Sequence, residues 1–232
     1  PGILAQLKEK ATAKFQEMRL DFDEVTSLGT PRRTALLVKN LAETQQGASS
    51  EYKGPSTAIA FDKDGNPTKA AIGFARGKKV DVADLVVKDG YVYAVSSEEG
   101  KQTVELLPTL LKELVEGLNF PKNMRWGDLD FRFVRPLRWL VALYDEEVID
   151  FTVANVTSGR VSRGHRFLSE GDFTINKASD YEQACKDAFI IVDQEKRRDI
   201  IKAQIEEIAK AHNGHAEITE DLLAEVIYLV EY

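Results

Sequence analysis

The sequence predicts an α+β fold, with mixed antiparallel sheets and packed helices in two lobes. Three observations point to it. Apolar residues recur at three- and four-residue steps in some segments and as short β-branched runs in others. The connections carry hairpin signals such as Asp89-Gly90, and strands and helices do not alternate as regular βαβ units. From Pro121 onward the chain turns rich in Arg and aromatic residues, which sets the expected lobes at 1–120 and 121–232.

The elements follow in order. Ile3, Leu4, Leu7, Ala11 and Phe15 mark one face of a first helix. Phe22–Thr26 and Thr34–Leu41 read as strands joined across Gly29-Thr30-Pro31. Residues 42–56 are polar and expected to be loop. After the turn cluster Asp62–Pro67, a helix is expected over Ala70–Arg76 with Gly77 as its stop. Val86–Val95 reads as a hairpin about Asp89-Gly90, because Asp-Gly supplies the positive φ angles of a tight turn. Val104–Leu118 is a periodic helix despite Pro108.

In the second lobe, strands are expected at Leu137–Tyr144, Val148–Asn155 and Arg160–Phe167, with a short one at Phe173–Ile175. A helix at Ser179–Ala188, a strand at Phe189–Val192 and an amphipathic helix at Gln194–His212 follow. The last segment, Thr219–Tyr232, is helical in pattern with Thr219 as cap. Trp139 is expected in the core and Trp126 at a surface turn. Both chain ends fall inside patterned segments, so a longer parent is expected.

Composition narrows the functional classes. With 43% hydrophobic and 30% charged residues the chain is ordinary for a folded domain. No apolar run reaches membrane-span length, and a cytoplasmic setting is expected. A single cysteine excludes an internal disulfide framework, and three scattered histidines give no metal cluster. The net charge of −7 is uneven. Residues 169–232 hold 7 Lys and Arg against 15 Asp and Glu, while the rest of the chain is near neutral. Local clusters therefore set the electrostatics.

No phosphate loop, dinucleotide fingerprint or nucleophile elbow occurs, and no catalytic residue is assigned. The basic clusters carry more information. Lys122, Arg125, Arg132, Arg135 and Arg138 alternate with Trp126, Phe131, Phe133 and Trp139. Arg160, Arg163, His165 and Arg166 form a second run without an acid, and Arg32-Arg33 a third. Guanidinium forks match phosphate oxygens and aromatic faces stack exposed bases, so the clusters are candidate RNA contacts. The bland alternative is that the aromatics are core and the arginines pair with Asp128, Asp130 and Asp150. His165 is read as a hydrogen-bonding residue before a general base, and His212 and His215 as helix-end residues.

These residues also carry a resemblance. Thr30-Pro31-Arg32-Arg33, Lys53-Gly54-Pro55, Lys69–Gly77, Pro121–Gly127, Phe133-Val134-Arg135-Pro136 and Arg163–Phe167 stand in the same order and at similar spacings as in the glycyl-tRNA synthetase β subunits of bacteria. The resemblance spans the whole chain and implies the first third or so of such a subunit. It implies an α2β2 enzyme whose α subunit carries the class II active site and uses ATP, Mg²⁺ and glycine. The β subunit then contributes tRNA(Gly) binding and is needed for aminoacylation, and no cofactor is expected in this part. The short strand that precedes the first helix in that family, of Glu-Ile-Gly-Thr-Glu-Glu character, is absent here.

Three readings stay open: an RNA-contacting module of a ligase, a scaffold that docks the α subunit or braces other β domains, and an autonomous hydrolase using His165. Arg and aromatic residues are enriched at protein interfaces too, so composition alone does not separate the first two.

Overall fold

The computed structural model describes residues 2–232, which are mixed α and β and divide into two compact units. One comprises the residues through Glu43 together with Thr103–Tyr232, and the other Thr44–Gln102. The composition change at residue 120 falls within the first unit, where helix gives way to an irregular segment.

The first unit opens with α1 (Gly2–Glu17), whose Leu4, Leu7, Ala11 and Phe15 are buried as the spacing predicts. Arg19, with φ of 52°, turns the chain out of the helix in the left-handed region. β1 (Glu24–Thr30) and β2 (Arg33–Lys39) then form an antiparallel hairpin in which Thr30 pairs with Arg33, so the turn is Pro31-Arg32.

The second unit contains β3 (Ala48–Ser56), α2 (Thr57–Ala60), α3 (Lys69–Gly77), β4 (Val86–Lys88) and β5 (Tyr91–Glu98). β5 lies between β3 and β4 in one antiparallel sheet. The expectation of a loop over 42–56 is corrected here. β3 is a polar edge strand, mostly exposed, so it lacks the apolar alternation that marks a half-buried strand. The hairpin about Asp89-Gly90 stands as read, with φ of 53° and 76° at the turn. Ala60, Ala71 and Val92 form a small core against Phe61, Phe74 and Leu85. Two quoted motifs interlock here: a Cβ on Gly54 would lie 2.5 Å from the Phe74 ring, so only glycine lets that ring close over the strand.

Back in the first unit, α4 (Thr103–Glu116) buries Leu107, Leu110 and Leu114 in the core that α1 and the β1–β2 hairpin also build. Its start is fixed by Thr103, whose amide donates to the Glu43 carbonyl (2.8 Å) and whose hydroxyl donates to the Ala42 carbonyl (2.5 Å). The long strands expected over 137–167 are replaced by short ones: β6 (Leu140–Val141), β7 (Leu143–Tyr144), β8 (Glu147–Val148), β9 (Thr152–Val153), β10 (Val156–Gly159) and β11 (Val161–Arg163). Turns break them where Asp145, Ala154 and Asn155 take positive φ.

β12 (Asp172–Thr174) pairs with β11, and α5 (Tyr181–Asp187) follows. No strand forms at Phe189–Val192. Ile190 and Val192 are buried, but they pack into a second core with Leu28 and Cys185. The Ile190 amide bonds the Cys185 carbonyl, a helix-end bond and not a ladder bond. α6 (Gln194–Ala211) is capped by the Asp193 carboxylate, which accepts from the Glu195 and Lys196 amides. α7 (Glu220–Val226) is capped by Thr219 as expected but ends six residues before Tyr232. Among the described residues no helix is long and apolar enough to cross a membrane.

Candidate nucleic-acid interface

The structure sorts the basic residues into two sets. The first converges on Glu231. Its carboxylate is buried and accepts from the Thr30 hydroxyl (2.5 Å), Arg33 Nε (3.2 Å) and Arg32 Nη1 (3.1 Å). Arg32 Nη1 also donates to the Gly164 carbonyl, and Arg33 Nη1 to the Arg163 carbonyl. The two-residue turn of the β1–β2 hairpin is thus tied to the end of β11. Burial works to raise the Glu231 carboxyl, but the Thr30 hydroxyl and the two guanidiniums together outweigh it and hold it below the usual carboxylate range.

Trp139 stands beside this node. The guanidiniums of Arg163, Arg33 and Arg32 lie 5.4, 5.6 and 6.0 Å from its ring, within cation–π range. The expectation of a core position is not met: Trp139 lies just before β6, half-buried and flanked by these three guanidiniums. Arg163 also faces Asp172 at 3.8 Å.

Arg160 belongs to the same set. It donates to the carbonyls of Asn176 (3.1 Å) and Glu146 (2.9 Å), bracing two turns. His165 caps a turn: its Nδ1 accepts from the amides of Phe167 and Leu168, both at 3.2 Å. Gly164 is required here, since a Cβ would clash with the Ser169 side chain and crowd the Gly171 carbonyl. Arg160 and Arg166 therefore do not share a strand face; β11 ends at Arg163, and Arg166 lies exposed in the turn.

The second set is the strap over 122–138. An isolated bridge between Met124 and Phe133 closes a loop, with Gly127 in the left-handed region. Aromatic rings form its spine: Phe120 meets Phe133 edge-on (4.5 Å), Phe131 stacks on Phe133 (5.8 Å), and Trp126 meets Phe131 edge-on (5.8 Å). The cations project outward. Lys122, Arg125, Arg132, Arg135 and Arg138 are all exposed. Arg125 approaches the fully exposed Asp130 at 3.4 Å, Arg132 donates to Asn123, and Arg135 donates to the neighbouring Val134 carbonyl. Such surface contacts hold a cation weakly and leave it free to exchange partners.

Two functional-looking residues escaped the sequence reading. One is Glu231, which lies in a mixed apolar stretch with no local signal. The other is Arg197 on α6, fully buried, with Nε donating to the Ile227 carbonyl (2.7 Å), Nη1 to Ile191 (2.5 Å) and Nη2 to Gly29 (2.9 Å). Its position four residues before Ile201, on the apolar stripe of the helix, was the available signal. Among the described residues no group of three or more His, Cys, Asp or Glu side chains is placed to hold a metal ion.

With this geometry in hand, comparison with known proteins is informative. A family described as the glycyl-tRNA synthetase beta subunit matches residues 1–232. A glycine–tRNA ligase beta subunit of Desulfitobacterium hafniense (strain Y51) is 48% identical over 236 residues, covering 100% of this chain and 34% of the relative. Beta subunits of Desulforamulus reducens and Natranaerobius thermophilus are 44% and 43% identical over 99% and 100% of the chain, each again with 34% of the relative covered. The chain spans about a third of the length of these curated relatives.

Proposed function

The chain belongs to the glycyl-tRNA synthetase beta subunit family, and from that premise we propose that it supports tRNA binding during charging of tRNA(Gly). On this reading it works in the cytoplasm within an α2β2 assembly, and the α subunit binds ATP, Mg²⁺ and glycine and forms the adenylate. The observation that carries the reading is the strap over 122–138, where exposed cations are mounted on an aromatic spine. Arginine and lysine on a firm scaffold, held only by weak surface contacts, suit the phosphates of a folded RNA. Arg166 extends the candidate set.

Arg32, Arg33, Arg160, Arg163 and His165 take a supporting part in the proposal. Arg32, Arg33 and Arg160 spend donors on protein acceptors, the Arg163 guanidinium faces Asp172 and the Trp139 ring, and His165 accepts from the turn amides, so all five shape the surface that other residues present.

A second reading has its own observation. Phe167 is 84% exposed and Leu229 75%, and both flank the Glu231 node in sequence or through the Arg163–Phe167 turn. Exposed apolar side chains of this size fit a docking surface for the α subunit or for other β domains.

The experiment compares binding of tRNA(Gly) and of purified α subunit to β as salt is varied. The first reading expects a steep log–log slope for tRNA that flattens when Lys122, Arg125, Arg132 and Arg135 are changed together to Gln. An unchanged tRNA slope in that variant, with weakened α association, would transfer the strap to the second reading. ATP–pyrophosphate exchange by the isolated chain is expected to stay at background.

A further inference from the structure

The sheet of the second unit has two unlike faces. Val92 and Ala94 on β5 are fully buried beneath α2 and α3. A solvated face of an antiparallel sheet should then carry polar residues in alternation with them. The sequence Tyr91-Val92-Tyr93-Ala94-Val95 instead places Tyr91, Tyr93 and Val95 on the outer side.

Register extends this face across all three strands. Val86 of β4 and Lys53 of β3 both pair with Tyr93, Lys88 pairs with Tyr91, and Glu51 pairs with Val95. Residues paired across strands share a face. Val86, Tyr91 and Val95 remain 48%, 38% and 40% exposed. The Lys53 ammonium lies 3.6 Å from the Tyr91 ring centre, and Lys88 lies 6.0 Å from that of Tyr93. Both cations sit at the tyrosine end, and the carboxylate of Glu51 stands at the other, beside Val95.

We infer that this open face of the β4–β5–β3 sheet binds single-stranded RNA, with Tyr91 and Tyr93 stacking unpaired bases and Lys53 and Lys88 meeting the phosphates. Three features select this occupant. Tyrosines on a sheet surface offer π faces to bases of any identity, which is how sheet-based RNA modules work. Tyr91 and Tyr93 are two residues apart, roughly 7 Å along the strand, so each ring serves a separate base. Lysine is depleted from the cores of protein–protein interfaces, yet here two lysines lie at the aromatic centre of the face. A base arriving on Tyr91 displaces the Lys53 ammonium from the ring to an adjoining phosphate, a short swing for a flexible four-carbon stem.

The inference rests on the reading that the chain contacts RNA, but on a surface separate from the strap, and its recognition element is the unpaired base instead of the phosphate track.

The test uses the whole chain with two fluorescein-labelled probes, a 12-nucleotide single-stranded RNA of mixed sequence and a blunt duplex of the same length. The single strand should bind, and Tyr91→Ala or Tyr93→Ala should each weaken it by roughly five- to a hundredfold, while Tyr→Phe at either position retains it. Lys53→Gln and Lys88→Gln should each reduce the log–log salt slope by about 0.7. Should an alanine variant fail to fold, backbone amide shifts at Lys53, Val86, Tyr91 and Tyr93 on titrating wild-type protein with the single strand decide the matter. Absence of single-strand binding, unchanged affinity in the double alanine variant, or loss of α-subunit capture with RNA affinity intact would overturn the assignment. A strap variant that loses tRNA while the tyrosine variants bind normally defeats this inference and leaves the proposed function standing. The reverse result defeats the strap reading alone.

Discussion

Arg197 and Arg135 carry the same side chain, and the fold uses them in opposite ways. Arg197 is wholly buried, with each of its three nitrogens donating to a main-chain carbonyl from a different part of the first unit. Arg135 is exposed and reaches only the carbonyl of its own neighbour. The Glu231 node sides with Arg197, and the strap sides with Arg135. The comparison teaches that an arginine cluster in the sequence is not yet a binding surface. Its meaning depends on whether the chain supplies acceptors, and here Gly29, Ile191, Ile227, Arg163, Gly164 and Glu231 supply them to one set only.

The largest effect should come from Arg197→Met. The variant keeps an apolar stem but leaves three buried carbonyls without donors, each previously paired to a charged group. The expected loss is more than about 3 kcal/mol of unfolding free energy, read from the shift in urea midpoint. A loss below about 1 kcal/mol would mean that burial does not separate the two sets of arginines.

Glu231→Gln should come next, at about 2–4 kcal/mol near neutral pH, because it leaves Arg33 buried without its counter-ion. The pH dependence has a definite sign. The folded carboxyl is held below its ordinary value of about 4.3, so its contribution is fully present above that value. It is lost as pH falls through the folded value. Wild-type stability should therefore drop on acidification below about pH 4, and the gap between wild type and Glu231→Gln should close there. A gap that widens on acidification would contradict the assignment of a charged Glu231.

How much of this was legible beforehand follows from where the signals reside. α1, α4 and the Asp89-Gly90 hairpin were readable because their apolar spacing or turn chemistry is local. β3 was not, because an exposed edge strand gains its ladder from β5 some forty residues on (Lys53 with Tyr93) and buries little of its own. The clusters Arg32-Arg33 and Arg160–Arg166 were visible as charge, but their acceptors were not. Glu231 lies about 200 residues from Thr30 in the chain, and the carbonyls that hold Arg160 carry no sequence signature. The strap was legible in composition, and the fold added which way its cations face.

Arg160→Gln probes the boundary between the sets, since its side chain is only half-buried. Losing the bonds to Asn176 and Glu146 should cost about 1–2 kcal/mol, a moderate shift in melting temperature, with the tRNA salt slope of the assembled enzyme unchanged. A flattened slope at unchanged stability would move Arg160 into the exposed set.

Arg166→Gln should have the smallest effect on folding and is the sharpest comparison, because Arg166 stands six residues from Arg160 in one motif. The turn that carries it is held by the His165 ring and the Gly164 backbone, not by Arg166 itself. Among the described residues no hydrogen bond or ion pair engages its guanidinium, so its removal should alter unfolding free energy by no more than about 0.5 kcal/mol. If the exposed cations form a phosphate track, the same change should reduce the salt slope for tRNA binding by roughly 0.7–0.9. Combining it with the four strap substitutions should add slope losses without adding stability losses, since separated sites behave independently. A variant that melts normally, assembles with α and keeps the wild-type slope would restrict the track to the strap. One that melts early would show that exposure does not by itself free an arginine in this fold, and the division between the two sets would have to be redrawn around local turn structure.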